Sequence, residues 1–241
     1  MNSSTIPYRI FPLGDSAITV DFGNCIDETV NKEVIKRFNQ LQQQPFSGMI
    51  EAVPAYSSLT IYYDMLVLKK KVATGFTIFE WVQQQLMERL NQPVEKLVSE
   101  ERLVKIPVCY EKEFAPDIQQ LAAKKIISVD EVIQTHLSKA YKVYMLGFLP
   151  GFTYMGEVDE KIAIPRKPQP VNIIAGSVGI AGKQTGIYPL ASPGGWQIIG
   201  RTPLKLFDVK KEEPTLLRVG DAVKFYSISK KEFEEIKITG S

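Results

Sequence analysis

The sequence predicts an α+β fold in two domains, residues 1–108 and residues 109–241. Three observations support this prediction. Strand-like and helix-like periodicities alternate in the first half, short strand-like runs separated by Gly, Pro and Asp dominate the second half, and the pattern changes near residue 109 without a long linker. A chain of 241 residues is long enough to bury a core in each of two modest domains.

The first domain begins with a strand-like alternation, in which Ile18, Val20 and Phe22 are separated by other residues. Apolar residues at helical spacing follow, then two short β-rich runs, a second helical segment and a further strand. In order, the predicted elements are strand 16–22, helix 27–44, strands 49–53 and 59–63, helix 74–91 and strand 102–108. The order β-α-β-β-α-β is that of the ferredoxin-like split βαβ arrangement, in which two helices cover one face of an antiparallel sheet.

The second domain opens with two predicted helices, residues 117–124 and 128–140. The second of them starts with the capping-box pair Ser128 and Glu131. The predicted strands are residues 141–146, 173–180, 196–201, 204–207, 215–218 and 222–228. Short strands between Gly, Pro and Asp turns are typical of a barrel or a sandwich.

Composition excludes several classes of function. The chain has 29 Lys and Arg residues and 27 Asp and Glu residues. This near balance of charge argues against a nucleic-acid-binding protein, which needs a basic face. The N-terminal residues lack the apolar core of a signal peptide, and no run reaches the ~18 apolar residues of a membrane span. We therefore expect a cytoplasmic protein without a membrane segment.

Cysteine and histidine are scarce. Cys25 and Cys109 lack CxxC spacing and His136 is the only histidine, so we expect no disulfide scaffold and no metal site. His136 is the only candidate for a histidine base, although a single helical histidine is more often structural. Asp117 and Glu113 are either a carboxylate pair or helix caps.

The segment from Gly176 to Arg201 reads GSVGIAGKQTGIYPLASPGGWQIIGR and contains seven glycines. It is not a nucleotide-binding P-loop, because five residues instead of four separate the relevant glycines and Gln184 follows the lysine where a hydroxyl is required. Two interpretations stay open. Either glycines let backbone N–H groups approach an anionic or carbonyl ligand, assisted by Ser177, Gln184 and Tyr188, or they form a tight β-hairpin.

The segment GFLPGF, residues 147–152, is a second Gly-Pro cluster. It predicts a rigid turn that projects Phe148, Phe152 and the nearby Tyr154, either into a site or as a lid on a barrel end. Arg166 and Arg201 also lie at loops or strand ends, where a guanidinium group either binds a carboxylate or phosphate or remains a solvated surface charge.

Together, GFLPGF, AGSVGIAGKQTGIYP, SPGGWQIIGRTP and PTLLRVGDAVKF resemble the KipI/PxpB family, also described as allophanate hydrolase subunit 1. The resemblance extends over nearly the whole chain, including LGDSAITVDFG near the N-terminus. It implies a ferredoxin-like domain followed by a cyclophilin-like β-barrel domain. The chain departs from the family at Glu111, Lys112 and Ala115, where relatives have YGGEFGPD, and at Val171 and Ile174.

The resemblance also implies a function. Family members act with a PxpC-like barrel subunit and a PxpA-like subunit as an ATP-dependent 5-oxoprolinase, which opens 5-oxoproline to L-glutamate. We therefore expect the chain to be inactive alone. We also expect ATP to be bound by or with a partner subunit, because this chain has no P-loop. Two alternatives also follow from the family: inhibition of a sporulation-type histidine kinase, and a role related to allophanate hydrolase or urea amidolyase.

Carried over by motif, the resemblance implies a set of site residues. They are His136, Phe148, Pro150, Gly151, Phe152, Arg166, Ser177, Gln184, Tyr188, Trp196 and Arg201. In this hypothesis, Arg166 or Arg201 holds a carboxylate, Gln184 and backbone amides hold the lactam carbonyl, and His136 supplies a proton.

Overall fold

The computed structural model describes residues 6–92 and 102–239, and it divides the chain into two compact units, Met1–Ser99 and Glu100–Ser241. Both units mix helices and strands, which confirms the predicted α+β class. No helix among the described residues is both long enough and apolar enough to cross a membrane.

The first unit contains one antiparallel sheet with strand order β1-β2-β4-β3. Its strands are β1 (Arg9–Pro12), β2 (Ala17–Asp21), β3 (Met49–Pro54) and β4 (Ser58–Tyr63), and its helices are α1 (Glu28–Gln43), α2 (Met65–Lys69) and α3 (Ile78–Leu90).

Alternation along the strands builds the core of the first unit. Ile18 on β2 and Ile61 on β4 are register partners and fully buried, so the same face of both strands is apolar. Val34 of α1 and Leu86 of α3 join them in one hydrophobic cluster. Helix α3 begins at a capping box, in which the Thr77 side chain accepts a hydrogen bond from the N–H of residue 80.

The second unit contains a longer sheet with strand order β12-β9-β10-β7-β6-β13-β5 and a separate pair, β11-β8. Its helices are α4 (Ile118–Lys125), α5 (Val129–Leu137) and α6 (Lys230–Thr239). Its strands are β5 (Leu103–Val108), β6 (Tyr141–Leu146), β7 (Thr153–Gly156), β8 (Val171–Ile173), β9 (Ser177–Ala181), β10 (Gln184–Ile187), β11 (Ser192–Gly194), β12 (Gln197–Arg201) and β13 (Ala222–Ser227).

The two ends of the longer sheet meet at Cys109 and Arg201. The backbone N–H of Cys109, directly after β5, donates to the carbonyl of Arg201 at 2.8 Å, and the N–H of Arg201 donates back at 3.0 Å. This exchange joins the first and last strands of the sheet and makes the sheet a nearly closed barrel. The barrel core includes Val143, Ile180 and Phe225, which are all buried.

The prediction that residues 102–108 form the last strand of the first domain is wrong in its pairing. The strand exists as β5, but it pairs in parallel with β13, with Leu103 opposite Ala222 and Val108 opposite Ser227. In the first sheet, β1 occupies the edge beside β2. Strand pairing across more than one hundred residues depends on tertiary contacts, which the periodicity of residues 102–108 does not contain.

Several other boundaries also differ from prediction. Residues 204–207 and 215–218 form no strands and meet only in an isolated bridge between Phe207 and Thr215. Strands β1, β7, β10 and β11 and helices α2 and α6 were not predicted. The capping box of Ser128 and Glu131 is confirmed, although α5 ends at Leu137 rather than at residue 140.

Candidate functional site

An aromatic cluster covers the outer face of the barrel sheet, and we define it as Phe148, Phe152, Tyr154, Tyr188 and Trp196. The ring of Phe152 stands at its centre, with ring centroids 4.8 Å from Tyr154, 4.9 Å from Tyr188 and 5.4 Å from Trp196. All three contacts are edge-to-face, the geometry that aromatic quadrupoles favour. Phe152, Tyr188 and Trp196 are buried, whereas Tyr154 is half-buried.

The period-2 alternation of the strands separates this cluster from the barrel core. Met155 of β7 and Ile180 of β9 point into the core, so their neighbours Tyr154 and Gly179 lie on the outer face. The barrel therefore has two apolar layers, its core and the aromatic cluster, on opposite faces of the same strands.

Glycines of the Gly-rich segment make room for the rings of this cluster. A β-carbon on Gly186 would lie 2.9 Å from the Trp196 ring, and one on Gly179 would lie 3.1 Å from Trp196 Cβ. A β-carbon on Gly194 would clash with the Tyr188 hydroxyl. These three glycines therefore serve ring packing, and the observed contacts do not require a ligand.

Gly182 has a different role, because it turns the chain between β9 and β10. Its φ is +60° and no atom lies within 4 Å of its β-carbon position. Its N–H and carbonyl both pair with Ile164, at 2.7 and 3.1 Å. Of the two interpretations of the Gly-rich segment, the tight hairpin is confirmed at this position.

The turn of residues 147–152 divides its two phenylalanines between the interior and the surface. Phe152 is buried, while Phe148 is 61% exposed and has a φ of +69°. The Phe148 ring still contacts Phe152 edge-on, at a centroid distance of 5.6 Å. Pro150 is exposed, and Gly151 takes a φ of +80° that closes the turn. A non-glycine residue with positive φ is strained, and such strain often occurs at functional positions.

Arg166 lies in an exposed loop beside the cluster, since a β-carbon on Gly195, the neighbour of Trp196, would be 3.8 Å from Arg166 Cβ. Burial raises the pKa of Tyr154 and raises the pKa of Tyr188 to about 12, while the positive charge of Arg166 acts against both shifts. Gln184 is half-buried on the same outer face, since it is the register partner of Gly156, two residues from Tyr154. A cation, two phenols and an amide thus lie on one side of the barrel sheet.

The Asp117 carboxylate lies beneath the loop that carries Arg166. It accepts the backbone N–H of Ile198 at 2.6 Å, and it pairs with the Lys167 ammonium group at 2.6 Å. Its side chain makes no capping hydrogen bond to helix α4, and Glu113 pairs instead with Lys230 at 2.8 Å. Asp117 and Glu113 therefore do not form the carboxylate pair that the sequence left open.

His136 lies on the core side of the sheet, away from the aromatic cluster. It is completely buried, and its ring packs against those of Tyr141 and Phe225, at centroid distances of 5.3 and 4.7 Å. Its Nδ1 is 2.8 Å from the Tyr110 hydroxyl and its Nε2 is 3.0 Å from Thr185 Oγ1. The structure does not place His136 with the other candidate residues.

The hydrogen bonds also define the protonation of His136. Thr185 Oγ1 donates to the carbonyl of Gly179 at 3.1 Å, so it accepts from Nε2–H of the histidine. Nδ1 then accepts from Tyr110, and the ring is neutral. Burial lowers the pKa of His136 to about 3. A neutral histidine with both nitrogens engaged and no solvent access has a structural role and does not fit the predicted proton donor.

Arg201 and Ser177 lie at the far end of the outer face. The guanidinium Nε of Arg201 donates to the carbonyl of Ala175 at 2.8 Å, and its centre is 5.8 Å from the Phe233 ring of α6. Ser177 is its register partner and is buried. Among the predicted site residues, the structure thus groups Phe148, Phe152, Arg166, Gln184, Tyr188 and Trp196, with Pro150 and Gly151 in the adjoining turn.

Tyr154 was expected as a ring projected by the turn of residues 147–152 but not as a site residue. Asp117 and Lys167 were not among the expected site residues either. Asp117 is about fifty residues from Lys167 along the chain, so no local pattern joins them. Within residues 6–92 and 102–239, no group of three or more His, Cys, Asp or Glu side chains is arranged to hold a metal.

Comparison with known proteins places this site within a family. Residues 8–217 match the family described as carboxyltransferase domain, subdomain C and D. The chain is 48% identical over 235 residues to the B subunit of 5-oxoprolinase from Bacillus subtilis (strain 168), covering 97% of this chain and 98% of that protein. It is 36% identical over 218 residues to the corresponding 5-oxoprolinase polypeptide of Escherichia coli O157:H7, covering 90% and 94% of the two chains.

A solved structure has a similar fold. The crystal structure of TTHA0988 superposes with a TM-score of 0.76 at 34% identity, covering 88% of this chain and 40% of that one. The residues that match the family model, 8–217, include the aromatic cluster, the Arg166 loop and the strands of the barrel sheet other than β13. The chain therefore belongs to the carboxyltransferase subdomain C and D family and, within it, to the KipI/PxpB group, which includes these B subunits of 5-oxoprolinase.

Proposed function

We propose that the chain is the B subunit of an ATP-dependent 5-oxoprolinase, which opens the lactam ring of 5-oxoproline to L-glutamate. The observation that carries this proposal is the 48% identity to the Bacillus subtilis protein over 97% of the chain. Similarity at this level extends over both units and is not confined to one motif. The proposal also includes a PxpC-like barrel subunit and a PxpA-like subunit as partners, and a cytoplasmic location.

The reaction breaks the lactam C–N bond. Water supplies the oxygen of the new carboxylate, the ring nitrogen gains a proton and becomes the amino group, and ATP is hydrolysed to ADP and phosphate in the same cycle. We propose that ATP binds to or with a partner subunit, because the Gly-rich segment does not have P-loop spacing and forms a hairpin instead. The chain alone is then inactive.

In this proposal, the residues that contact the substrate are the solvent-facing ones beside the aromatic cluster. Arg166 is exposed, and its guanidinium group suits the substrate carboxylate. Phe148 and Tyr154 offer ring surface to the lactam, and the Gln184 amide is a donor for the lactam carbonyl. Phe152, Tyr188 and Trp196 are buried and support these residues from below.

We also propose that the two units carry the folds that the family resemblance implies. The nearly closed sheet of the second unit supports a cyclophilin-like barrel. The first unit would be a variant of the ferredoxin-like fold, because β2, β4 and β3 have the expected order and β1 replaces the last strand at the edge.

The proposal is tested by reconstitution. The chain is purified alone and with its PxpC-like and PxpA-like partners, and glutamate formation from 5-oxoproline is measured with and without ATP. We expect turnover only for the three subunits together with ATP. If the complete mixture forms no glutamate and the isolated chain suppresses the autophosphorylation of a sporulation-type histidine kinase, the function is regulatory and the proposal is wrong.

A further inference from the structure

Three contacts fix the backbone on both sides of Arg166. Before it, the carbonyl of Pro165 accepts a hydrogen bond from Gln197 Nε2 at 3.1 Å. After it, the N–H of Lys167 donates to the carbonyl of Gly195 at 2.6 Å. The third contact is the ion pair between Lys167 and Asp117. Arg166 itself is exposed, so a rigid backbone presents its side chain to solvent beside the cluster.

The ion pair is unlike the surface pairs of this chain. The side chains of Lys167 and Asp117 are only 17% and 14% exposed, whereas those of Lys205 and Asp208 are 62% and 19% exposed. Solvent screens a pair of such low exposure less than a surface pair. Removing one partner also leaves the other charge poorly solvated, which makes the contact harder to lose than an exposed pair.

Asp117 connects this loop to the strand that carries the cluster. Its carboxylate holds Lys167 and at the same time accepts the N–H of Ile198, two residues after Trp196. In addition, the N–H of Asp117 donates to the carbonyl of Ile198 at 3.0 Å. One side chain therefore sets the position of the Arg166 loop relative to β12.

We propose that Asp117 and Lys167 are positioning residues that hold the Arg166 guanidinium beside Tyr154 and Tyr188, where it binds the carboxylate of the substrate. This inference rests on the proposed function for the identity of the substrate. A guanidinium group must be held in a narrow range of positions to form two parallel hydrogen bonds with a carboxylate. Displacement of the loop by about 1 Å weakens that contact even though Arg166 is still present.

The first experiment tests the tether of the Arg166 loop, which we define as the ion pair between Asp117 and Lys167, without any assay of activity. Trypsin can cleave after Arg166, whereas cleavage after Lys167 is blocked by Pro168. Cleavage of a tethered loop requires local opening. We expect Asp117→Asn and Lys167→Met to raise the rate of cleavage after Arg166 about tenfold, measured by mass spectrometry of the two fragments. Lys205→Met, which breaks an exposed ion pair, should leave that rate unchanged.

The second experiment uses the reconstituted three-subunit complex. Asp117→Asn keeps an acceptor for the Ile198 N–H and removes the charge, so it separates the tether from the folding of β12. We expect Asp117→Asn and Lys167→Met each to raise the KM for 5-oxoproline about tenfold while kcat changes less than about threefold. The double variant should be no worse than either single variant, and Lys167→Arg should restore most of the affinity.

The outcomes separate the two proposals. If the wild-type complex forms no glutamate, the proposed function is wrong, and the trypsin result still reports on the tether. If the wild-type complex is active and both single variants keep the wild-type KM and cleavage rate, the positioning role is wrong. Additive effects in the double variant would also contradict it, because two residues that act through one contact cannot add.

Discussion

The indole ring of Trp196 occupies the space above Gly186 where a β-carbon would have to lie. A β-carbon there would be 2.9 Å from the ring and 2.6 Å from the carbonyl oxygen of Thr153. The second of these contacts is with the backbone of β7, which cannot rotate away. The position must therefore be glycine for the aromatic cluster to pack on the sheet.

We predict that Gly186→Ala lowers the free energy of unfolding by about 1–3 kcal/mol, because the methyl group overpacks a closed contact. Urea denaturation of the purified chain measures this loss. Gly195→Ala is the matched control, since its nearest contact would be an ordinary one of 3.5 Å and its cost should stay below about 0.5 kcal/mol. Equal losses in the two variants would show that ring packing does not require the glycine.

The two candidate arginines should respond differently to substitution. Arg166→Gln removes an exposed guanidinium beside the cluster, so we expect the KM for 5-oxoproline in the three-subunit complex to rise by about 10- to 100-fold. Stability should change by less than about 0.5 kcal/mol, because the side chain is exposed.

Arg201→Gln should have the opposite profile. It removes the hydrogen bond to Ala175 and the stacking on Phe233, which lowers the free energy of unfolding by about 1–2 kcal/mol. The KM for 5-oxoproline should remain within about twofold of the wild type. Steady-state kinetics and thermal unfolding of both variants test these two roles. If only Arg201→Gln raises the KM, Arg201 binds the substrate and Arg166 does not.

Buried His136 should make stability depend on pH. Its folded pKa is lowered to about 3, below the ordinary value of 6.5, so the unfolded chain takes up a proton first as the pH falls. The contribution of neutral His136 to the free energy of unfolding is complete above about pH 6.5. Between about pH 6.5 and about pH 3, it decreases by up to about 1.4 kcal/mol per pH unit as the pH falls. We expect His136→Gln to have a shallower decline in unfolding free energy between about pH 7 and about pH 4, measured by urea denaturation across that range.

The His136→Gln variant also tests whether His136 has a structural or a catalytic role. The kcat of the three-subunit complex is measured at about pH 7.5 and below the unfolding temperature of the variant. A complex that contains His136→Gln should keep this kcat within about threefold of the wild type, because His136 is completely buried and cannot contact the substrate. A loss of kcat by about a hundredfold or more in a fully folded variant would restore the role of His136 as a proton donor.

Glu111 explains one departure of this chain from its family pattern. Its carboxylate accepts the N–H of Lys230 at 2.8 Å, and it thereby caps the start of α6 from outside the helix. We expect Glu111→Ala to cost about 1 kcal/mol and to speed hydrogen exchange in α6, whereas Glu111→Gln, which keeps an acceptor, should cost less than half of that. Unchanged exchange in Glu111→Ala would show that the contact does not stabilise the helix.

The site could be predicted from the sequence only in part. The Gly-Pro clusters and Arg166 were found by residue type and motif, and the structure does bring Phe148, Phe152, Tyr188 and Trp196 together. The roles of the glycines were not predictable, because they depend on which aromatic rings pack against the glycine positions of neighbouring strands. The positions of Asp117 and Lys167 depend on a contact between residues far apart in the chain.

Local signals were sufficient to predict the α+β class, the alternating strands β2 and β4, helix α3, the capped helix α5 and membership of the family. Side-chain period, caps and motifs depend on neighbours within a few residues, so they can be read from the chain.

Three further features follow from tertiary contacts: the pairing of β5 with β13, the placement of His136 on the core face, and the position of Arg166 rather than Arg201 beside the aromatic cluster. Each of them depends on strands that meet across a large separation in sequence. Barrel closure between Cys109 and Arg201 fixes which face of each strand points inward, and that closure is a property of the whole sheet.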